Sequence, residues 1–477
     1  MKRIDVLPDD ILLEIFDFCR CVETPWPGGK RRAENWQLLF HVCRRWRNLI
    51  LGSPRGLNLQ LFCTPETPAK DTLDIWPALP LIVTGDMDLS TGTDNIIAAL
   101  GRSKHVYYVD LLNIAGWQLE QVLGAMQVPF PELTDLHLSS NGEAGEAQPV
   151  IPDSFLDGST PRLRSFFLDG IPFPGLPNLL MSATHLVSLW LPNIPHSGYI
   201  SPEAIVALIS VLPSLEVFSL QFQSPQSCPD QRIRRPPPSR RSIVPALTSL
   251  HFKGVTEYLE DLVIAIDTPQ LDEMYITFFN QIDFDTPRLA HFINRTPKPT
   301  KNDAHVQFDD DFARVGLPGS RALDIAILCR EPDWQISSID QVCNSSLHPL
   351  SAVRDLYIEH RYRQLVWKDD AVESTLWLDL LLPFTAVENL YLSEEFARGI
   401  AAALKELVGG RITEVLPSLH NIFVEGLEPS GPFQEIIGQF IAARRFTDHT
   451  ITISDWDKYG DVVAINEEWK QVRGFDL

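Results

Sequence analysis

Apolar residues in this chain recur in short bursts of period two, separated by stretches whose period lies between three and four. The bursts share a form, Pro-x-Leu-x-x-Leu-x-Leu, loosely kept. It reads Pro131-Leu133-Leu136-Leu138, Pro161-Leu163-Phe166-Leu168, Pro213-Leu215-Phe218-Leu220 and Pro245-Leu247-Leu250-Phe252. Pro269-Leu271-Met274-Ile276 and Pro417-Leu419-Ile422-Val424 repeat it, and versions without the proline end at Leu111, Leu191, Ile358 and Leu392. Period two marks a strand with one buried face. Successive bursts lie 23 to 34 residues apart up to residue 276 and again from 358 to 424, an irregular step near thirty. Such a step is expected of a solenoid whose repeats differ in their connections. Turn formers follow the bursts at Asn113, Gly170, Asn193, Gly254 and Gly426, each with an apolar residue behind it. They suit a bend that swings the chain off the strand.

Between bursts the helical period takes over. Ser201-Pro202-Glu203 opens one helix, with Ile205, Leu208, Ile209 and Leu212 as its buried stripe. Leu259, Leu262, Val263 and Ile266 mark another, as do Phe396, Ile400, Leu404 and Leu407. Phe433, Ile436, Ile437, Phe440 and Ile441 mark the last. Alternating strand and helix predicts an α/β fold: a parallel sheet on the concave side and helices on the convex side. A Rossmann-like domain is the structural alternative, without a glycine fingerprint after any strand. Two segments are expected to interrupt the array as irregular insertions, 223–244 and 294–320. The first holds Arg232-Ile233-Arg234-Arg235-Pro236-Pro237-Pro238, expected to be a solvated, protease-sensitive loop. The second holds Asp309-Asp310-Asp311, read as a solvated charge run.

The first fifty residues follow a different rule. Leu7, Ile11, Ile15 and Phe18 form a stripe at helical spacing, with Leu12, Phe16 and Cys19 beside it. Pro8 suits the first helical position, and Asp9 and Asp10 suit the first turn. Leu39, Cys43, Trp46 and Ile50 share a later helix face, closed by Gly52-Ser53-Pro54. Three short helices make only a thin core. Periodicity alone is satisfied equally by a small self-sufficient bundle and by a unit that also presents apolar residues to a helical partner.

Leu-Pro-x-Asp-Ile-Leu-x-x-Ile-Phe at 7–16, followed by Val42-Cys43-Arg44-Arg45-Trp46-Arg47, resembles the F-box, as found in fungal F-box proteins with divergent leucine-rich repeats. The resemblance covers roughly residues 4–51, and the link at 20–36 is longer and more basic than the family's. It implies a three-helix F-box domain at 1–53, a transitional segment that begins the array at 54–100, and a divergent leucine-rich-repeat solenoid at 101–477. The repeats depart from the family's pattern too: its consensus Asn is matched only by Asn141. By resemblance the chain is a substrate receptor of a Skp–cullin–F-box ubiquitin ligase. Leu7, Pro8, Ile11, Leu12, Ile15, Phe16, Val42, Cys43 and Trp46 would meet the Skp-type adaptor and through it the cullin–RING ligase. Leu7, Pro8, Ile11, Ile15 and Val42 should then be at least partly exposed, in one patch. A ligase-independent repeat scaffold is the alternative.

Charge narrows the partners. The net charge is −22, yet residues 1–50 carry nine Lys/Arg against seven Asp/Glu, so the acidic balance lies entirely in the array. An acidic body repels phosphate backbones, which argues against nucleic acid. Seven scattered cysteines without a Cys-x-x-Cys pair fit free thiols in a reducing compartment. No apolar run reaches membrane-spanning length, so a cytoplasmic or nuclear protein is expected. No phosphate loop, metalloprotease helix or nucleophile elbow is present, so no catalytic residues, metal or cofactor are expected.

The strands themselves offer a binding surface. The residue between the last two apolar positions of each burst must point away from the core. In order these are Asp110, His137, Phe167, Trp190, Ser219, His251, Tyr275, Tyr357, Tyr391 and Phe423. Six of ten are Phe, Trp or Tyr, against 9% aromatic overall, whereas strand preference would not confine rings to one face. The preceding column is mostly Ser, Asn, Asp and Glu. An aromatic column flanked by polar groups suits a protein target, with His137, Phe167, Trp190, His251, Tyr275, Tyr357, Tyr391 and Phe423 as contacts. Strand preference alone, or a terminal tail covering the rings, is the plainer explanation of the column.

Overall fold

The computed structural model describes residues 7–19, 39, 41–52, 60–69, 73, 79–88, 92–142, 148–228, 240–279, 286–295, 302–318, 322–345, 348–360, 372–407, 411–427, 432–445 and 450–456. The long insertion at 20–36 and most of the basic loop lie outside them.

Each burst becomes a strand, and the shared form becomes a shared register. β1 (Leu61–Cys63), β2 (Leu81–Asp86), β3 (Val106–Ile114), β4 (Asp135–Ser140), β5 (Ser165–Asp169), β6 (Ser188–Ile194) and β7 (Val217–Phe222) lie side by side, all parallel. The two-residue strands β8 (Ser242–Ile243) and β10 (Ile266–Asp267) pair with each other, outside the sheet. β9 (Ser249–Gly254) and β11 (Glu273–Phe279) continue it. Leu136, Phe166, Leu189, Phe218, Leu250 and Met274 therefore stand in one row, all buried. The first Leu of the motif closes the core below them: Leu133, Leu163, Leu186, Leu215, Leu247 and Leu271 are all buried.

Helices connect the strands and cover that row. Pro202–Ser210 begins at Ser201, whose hydroxyl accepts from the Ala204 N–H at 3.3 Å, and buries Ile205, Leu208 and Ile209 as its spacing requires. Thr256–Ala265 buries Leu259, Leu262 and Val263. Its neighbour Pro287–Arg295 is capped from outside, because buried Glu260 accepts from the Leu289 N–H at 2.6 Å. Glu394–Glu406 and Pro432–Arg445 pack together at the far end. Four of the five expected turn formers, Asn113, Gly170, Asn193 and Gly426, have positive φ of 51–68°. Gly254 serves a different need: a Cβ there would stand 2.6 Å from the Phe252 ring and 3.1 Å from that of Phe222.

One expectation needs correcting. Residues 294–320 are not an irregular insertion. They supply β12 (Asp303–Phe308) and β13 (Phe312–Leu317), followed by β14 (Leu323–Leu328). β14 pairs with β11 and β12 pairs with β15 (Asp355–His360), so three strands enter in reverse order. β13 runs antiparallel to both neighbours, which makes the sheet mixed at this point. Asp309-Asp310-Asp311 forms the hairpin turn, where the Asp309 N–H donates to the Phe312 carbonyl at 2.9 Å. The charged turn masked a plain alternation, Ala304-Val306-Phe308 and Ala313-Val315-Leu317, all of it buried. β16 (Asn389–Leu392), β17 (Asn421–Glu425) and β18 (Thr452–Trp456) then resume the parallel order. Among the described residues sixteen strands form this sheet, and β8 and β10 form a second, two-stranded one.

At the other end, α1 (Asp9–Cys19) packs on α2 (Arg44–Gly52) through an edge-to-face contact of Phe16 and Trp46, their ring centroids 4.8 Å apart. The Leu12 N–H donates to the Pro8 carbonyl at 3.1 Å, so Pro8 is the N-cap and the helix begins at Asp9, one residue later than the proline predicts.

Candidate functional site

Two surfaces collect the residues that the sequence singles out. On the N-terminal unit, α1 turns Leu12 and Phe16 inward, where they are 0% and 2% exposed. Both therefore belong to the unit's own core, out of reach of any partner while it stays folded. Ile11, Ile15 and Val42 point outward, 38%, 40% and 57% exposed; Pro8 is exposed too, and Leu7, Cys43 and Trp46 are half-buried. Pro8, Ile11 and Ile15 sit three and four residues apart, so they share one side of the helix. Arg45 ties the two segments together, donating to the Leu7 carbonyl at 2.6 Å and to Asp9 at 2.5 Å. Because the Arg45–Asp9 pair is well exposed, it adds little stability.

The second surface is the sheet face turned away from the helices. All eight expected contact residues from His137 to Phe423 lie on it, each half-buried. Asp110 and Ser219, from the same column, are buried. Pairing places neighbours opposite one another: His137 with Phe167, Phe167 with Trp190, His251 with Tyr275, Tyr357 with Tyr391, and Tyr391 with Phe423. Parallel strands put identical repeat positions side by side, so the rings stack. His251 lies on Tyr275 at 4.7 Å, and Trp190 reaches His251 at 4.8 Å across the small, fully buried Ser219. In the C-terminal half His305, Tyr357, Tyr391 and Phe423 form a ladder with centroid spacings of 4.4, 4.2 and 4.6 Å and planes within 11° of parallel.

Besides Ser219, a wider break interrupts the column. Between Tyr275 and His305 the pairing inserts Asp324 and Gly316. Arg314 bridges this gap, 3.3 Å from Asp324 and donating to Gln307 at 2.8 Å. Gln307 in turn donates to buried Glu359.

Polar side chains flank the rings. Asn389 donates to Asp355 at 2.6 Å, Asn421 to Asn389 at 2.7 Å, and Thr452 to Asn421 at 2.5 Å, a chain that holds the row beside the ladder. Trp190 donates to Ser188 at 2.8 Å, which fixes its indole.

The histidines of the column are shifted in different directions. Burial pushes the His251 pKa down to about 4, so it is neutral at pH 7. Burial also lowers that of His137, against the opposing pull of Asp110 and Asp135. For His305 burial acts the same way, yet Asp303 and Glu359 outweigh it and raise the pKa. The Glu359 oxygen lies 3.2 Å from Nδ1 and the Asp303 oxygen 3.8 Å from Nε2.

Two contributors lay outside the sequence reading. His305 follows from the alternation of β12. Trp456, on the edge strand, lays its indole 5.9 Å from Tyr357 and 5.5 Å from Tyr391 and is itself only 7% exposed. No repeat motif precedes it. Among the described residues, no three His, Cys, Asp or Glu side chains converge as metal ligands, and no helix is long and apolar enough to cross a membrane.

The fold is a mixed α/β repeat array with one long, mostly parallel sheet, consistent with a leucine-rich-repeat-like solenoid. No protein-family model matches the sequence, and no curated protein sequence matches it either. Among solved structures, the chain resembles one in the yeast Rad7–Elc1 complex, with 14% identity, a TM-score of 0.27 and 88% of each chain covered. The leucine-rich repeat-containing protein LegL7 from Legionella pneumophila gives 13% identity and a TM-score of 0.27, over 80% of this chain and 97% of that one. Likenesses this weak add nothing to the geometry.

Proposed function

We propose that this chain is the substrate-recognition subunit of a Skp–cullin–F-box ubiquitin ligase, without catalytic chemistry of its own. In this reading the N-terminal unit is an F-box that docks on the Skp-type adaptor, and the open face of the sheet holds a protein target. The protein then works in the cytoplasm or nucleus, where its ligase partners are. The observation that carries the reading is the exposed apolar stripe Pro8, Ile11 and Ile15 on α1, together with exposed Val42 in the second half of the motif. It is left uncovered within the motif that resembles the F-box. A small unit that buries Leu12 and Phe16 for itself gains nothing from exposing four further apolar side chains, unless a partner covers them.

The test is adaptor capture by the full chain and by a Leu7→Ala/Pro8→Ala double variant. The variant is expected to lose capture while far-UV circular dichroism shows the array intact. Capture at full strength would remove the F-box assignment, leaving a repeat scaffold that works outside a ligase.

A further inference from the structure

Three features compete for a further role. The network of half-buried Arg314 and Gln307 with buried Glu359 is hydrogen-bonded within itself and reads as the fastening of the inserted strands. Exposed Trp117 and Trp334 stand apart, each with nothing around it to suggest what would cover it. The charge of the open face goes further, because it selects an occupant.

Across the three rows of open-face positions, strands β2 to β18 present ten Asp or Glu against two Lys or Arg. Of the two cations, Arg314 is committed to Asp324. Lys253 lies over the Phe279 ring at 5.8 Å, with burial lowering its pKa. The carboxylates are grouped where rings are. Asp110 and Asp135 flank His137, whose pKa burial lowers against their pull. Asp303 and Asp355 flank Tyr357, at the start of the stacked ladder.

Stacking decides how a ligand meets these rings. Faces are taken up by neighbouring rings, and Trp456 packs against Tyr357 and Tyr391, so a cation gains little from these rings alone. A long side chain gains more, laying its methylenes along the ring edges and carrying its charge to the carboxylates. Arginine fits this best, since its planar fork matches a carboxylate.

We propose that the open face binds an extended, arginine- and lysine-rich segment of its protein target, with Asp303 and Asp355 as the charge contacts of the aromatic ladder. The inference rests on the target-binding reading of that face. An extended peptide running across the strands meets a rung of the ladder about every 4.8 Å, while its alternate residues advance about 6.8 Å, so cationic side chains on one side of it come down about once in every one and a half rungs.

The experiment measures fluorescence anisotropy of the full chain with three labelled peptides, in which Arg, Gln or Glu alternates with Ser. Each is about twelve residues long, roughly 40 Å when extended. The Arg peptide is expected to bind, and more weakly as salt rises from about 50 to 500 mM. Asp303→Asn/Asp355→Asn should weaken it at least about tenfold, as should Tyr391→Ala. Asp94→Asn/Glu120→Gln, exposed on the helical side, should leave it unchanged. The charge proposal is overturned if the Arg peptide does not bind, if the Gln or Glu peptide binds as well, or if neutralising Asp303 and Asp355 has no effect. Equal binding of the Arg and Gln peptides, lost in Tyr391→Ala, would overturn it while the target-binding face stands. Binding indifferent to Tyr391→Ala and to both carboxylates would overturn the face as well.

Discussion

Tyr391 and its neighbour Leu390 test the two faces of the sheet at adjacent positions. Leu390 is fully buried under the helices, and truncating it to Ala should cost about 3–5 kcal/mol, a transfer loss plus a cavity. Tyr391 is half-buried and stacks on Tyr357 at 4.2 Å and Phe423 at 4.6 Å. Two such contacts contribute about 0.5–1.5 kcal/mol each, so Tyr391→Ala should cost about 1–3 kcal/mol. A lone outward ring would have cost almost nothing; the ladder is what raises the figure. In a solenoid the damage stays with the neighbours, so a global melting temperature would blur it. Native-state hydrogen exchange resolves it. For Tyr391→Ala, amides of β15 to β17 should exchange about 5- to 150-fold faster, since about 1.4 kcal/mol is a factor of ten. Amides of β4 and β5 should not change. Leu390→Ala should open the same strands further. If Tyr391→Ala proved the more damaging of the two, the ring would be the core-facing one and the register assigned to β16 would be wrong.

Three further predictions follow from single groups. Arg444 is fully buried, donating to the carbonyls of Val415, Leu416 and Pro417 around the positive φ of Leu416. Arg444→Ala should cost about 2–4 kcal/mol in chemical denaturation of the C-terminal repeats, because three carbonyls lose their donor. Asn193 has φ 51° and donates to Asp169 at 2.8 Å, so Asn193→Ala should cost about 1–2 kcal/mol and Asn193→Gly less. His251 has a folded pKa below its unfolded value, so the folded state binds fewer protons. Its contribution is complete above pH 6.5 and is lost as pH falls toward 4, by at most about 3 kcal/mol. His251→Phe should therefore flatten urea stability over that range, and an unchanged acid slope would place the histidine in water.

Much of the array was legible because one motif fixed both the strand and its register. The buried row from Leu136 to Met274 and the stacked column beside it are the same alternation read on opposite faces. The inserted strands were missed because Asp309-Asp310-Asp311 dominates the composition of a segment whose apolar residues are small or few, and because reversed chain order leaves no repeat to count. Leu12 and Phe16 were assigned to a partner on motif alone. Helical spacing places Ile11 and Leu12 only one residue apart at the edge of a broad stripe, and only the packing of α1 on α2 separates the inward from the outward member. Trp456 had no local signal, since its position follows from β18 pairing with β17.

The reversed order of β12 to β14 also bears on how the chain acquires its structure. Elsewhere each strand can add to the one made just before it, so assembly can spread outward from any seed. That growth stops at β11, because the next partner, β14, is the last of the three to leave the ribosome. The β12–β13–β14 meander closes through nearby residues and is the cheapest of these pairings in chain entropy. It can form first and then accept an array on each edge. This order predicts two cooperative blocks joined by an antiparallel seam. Pulled from its ends, it should yield in two steps rather than unravel repeat by repeat.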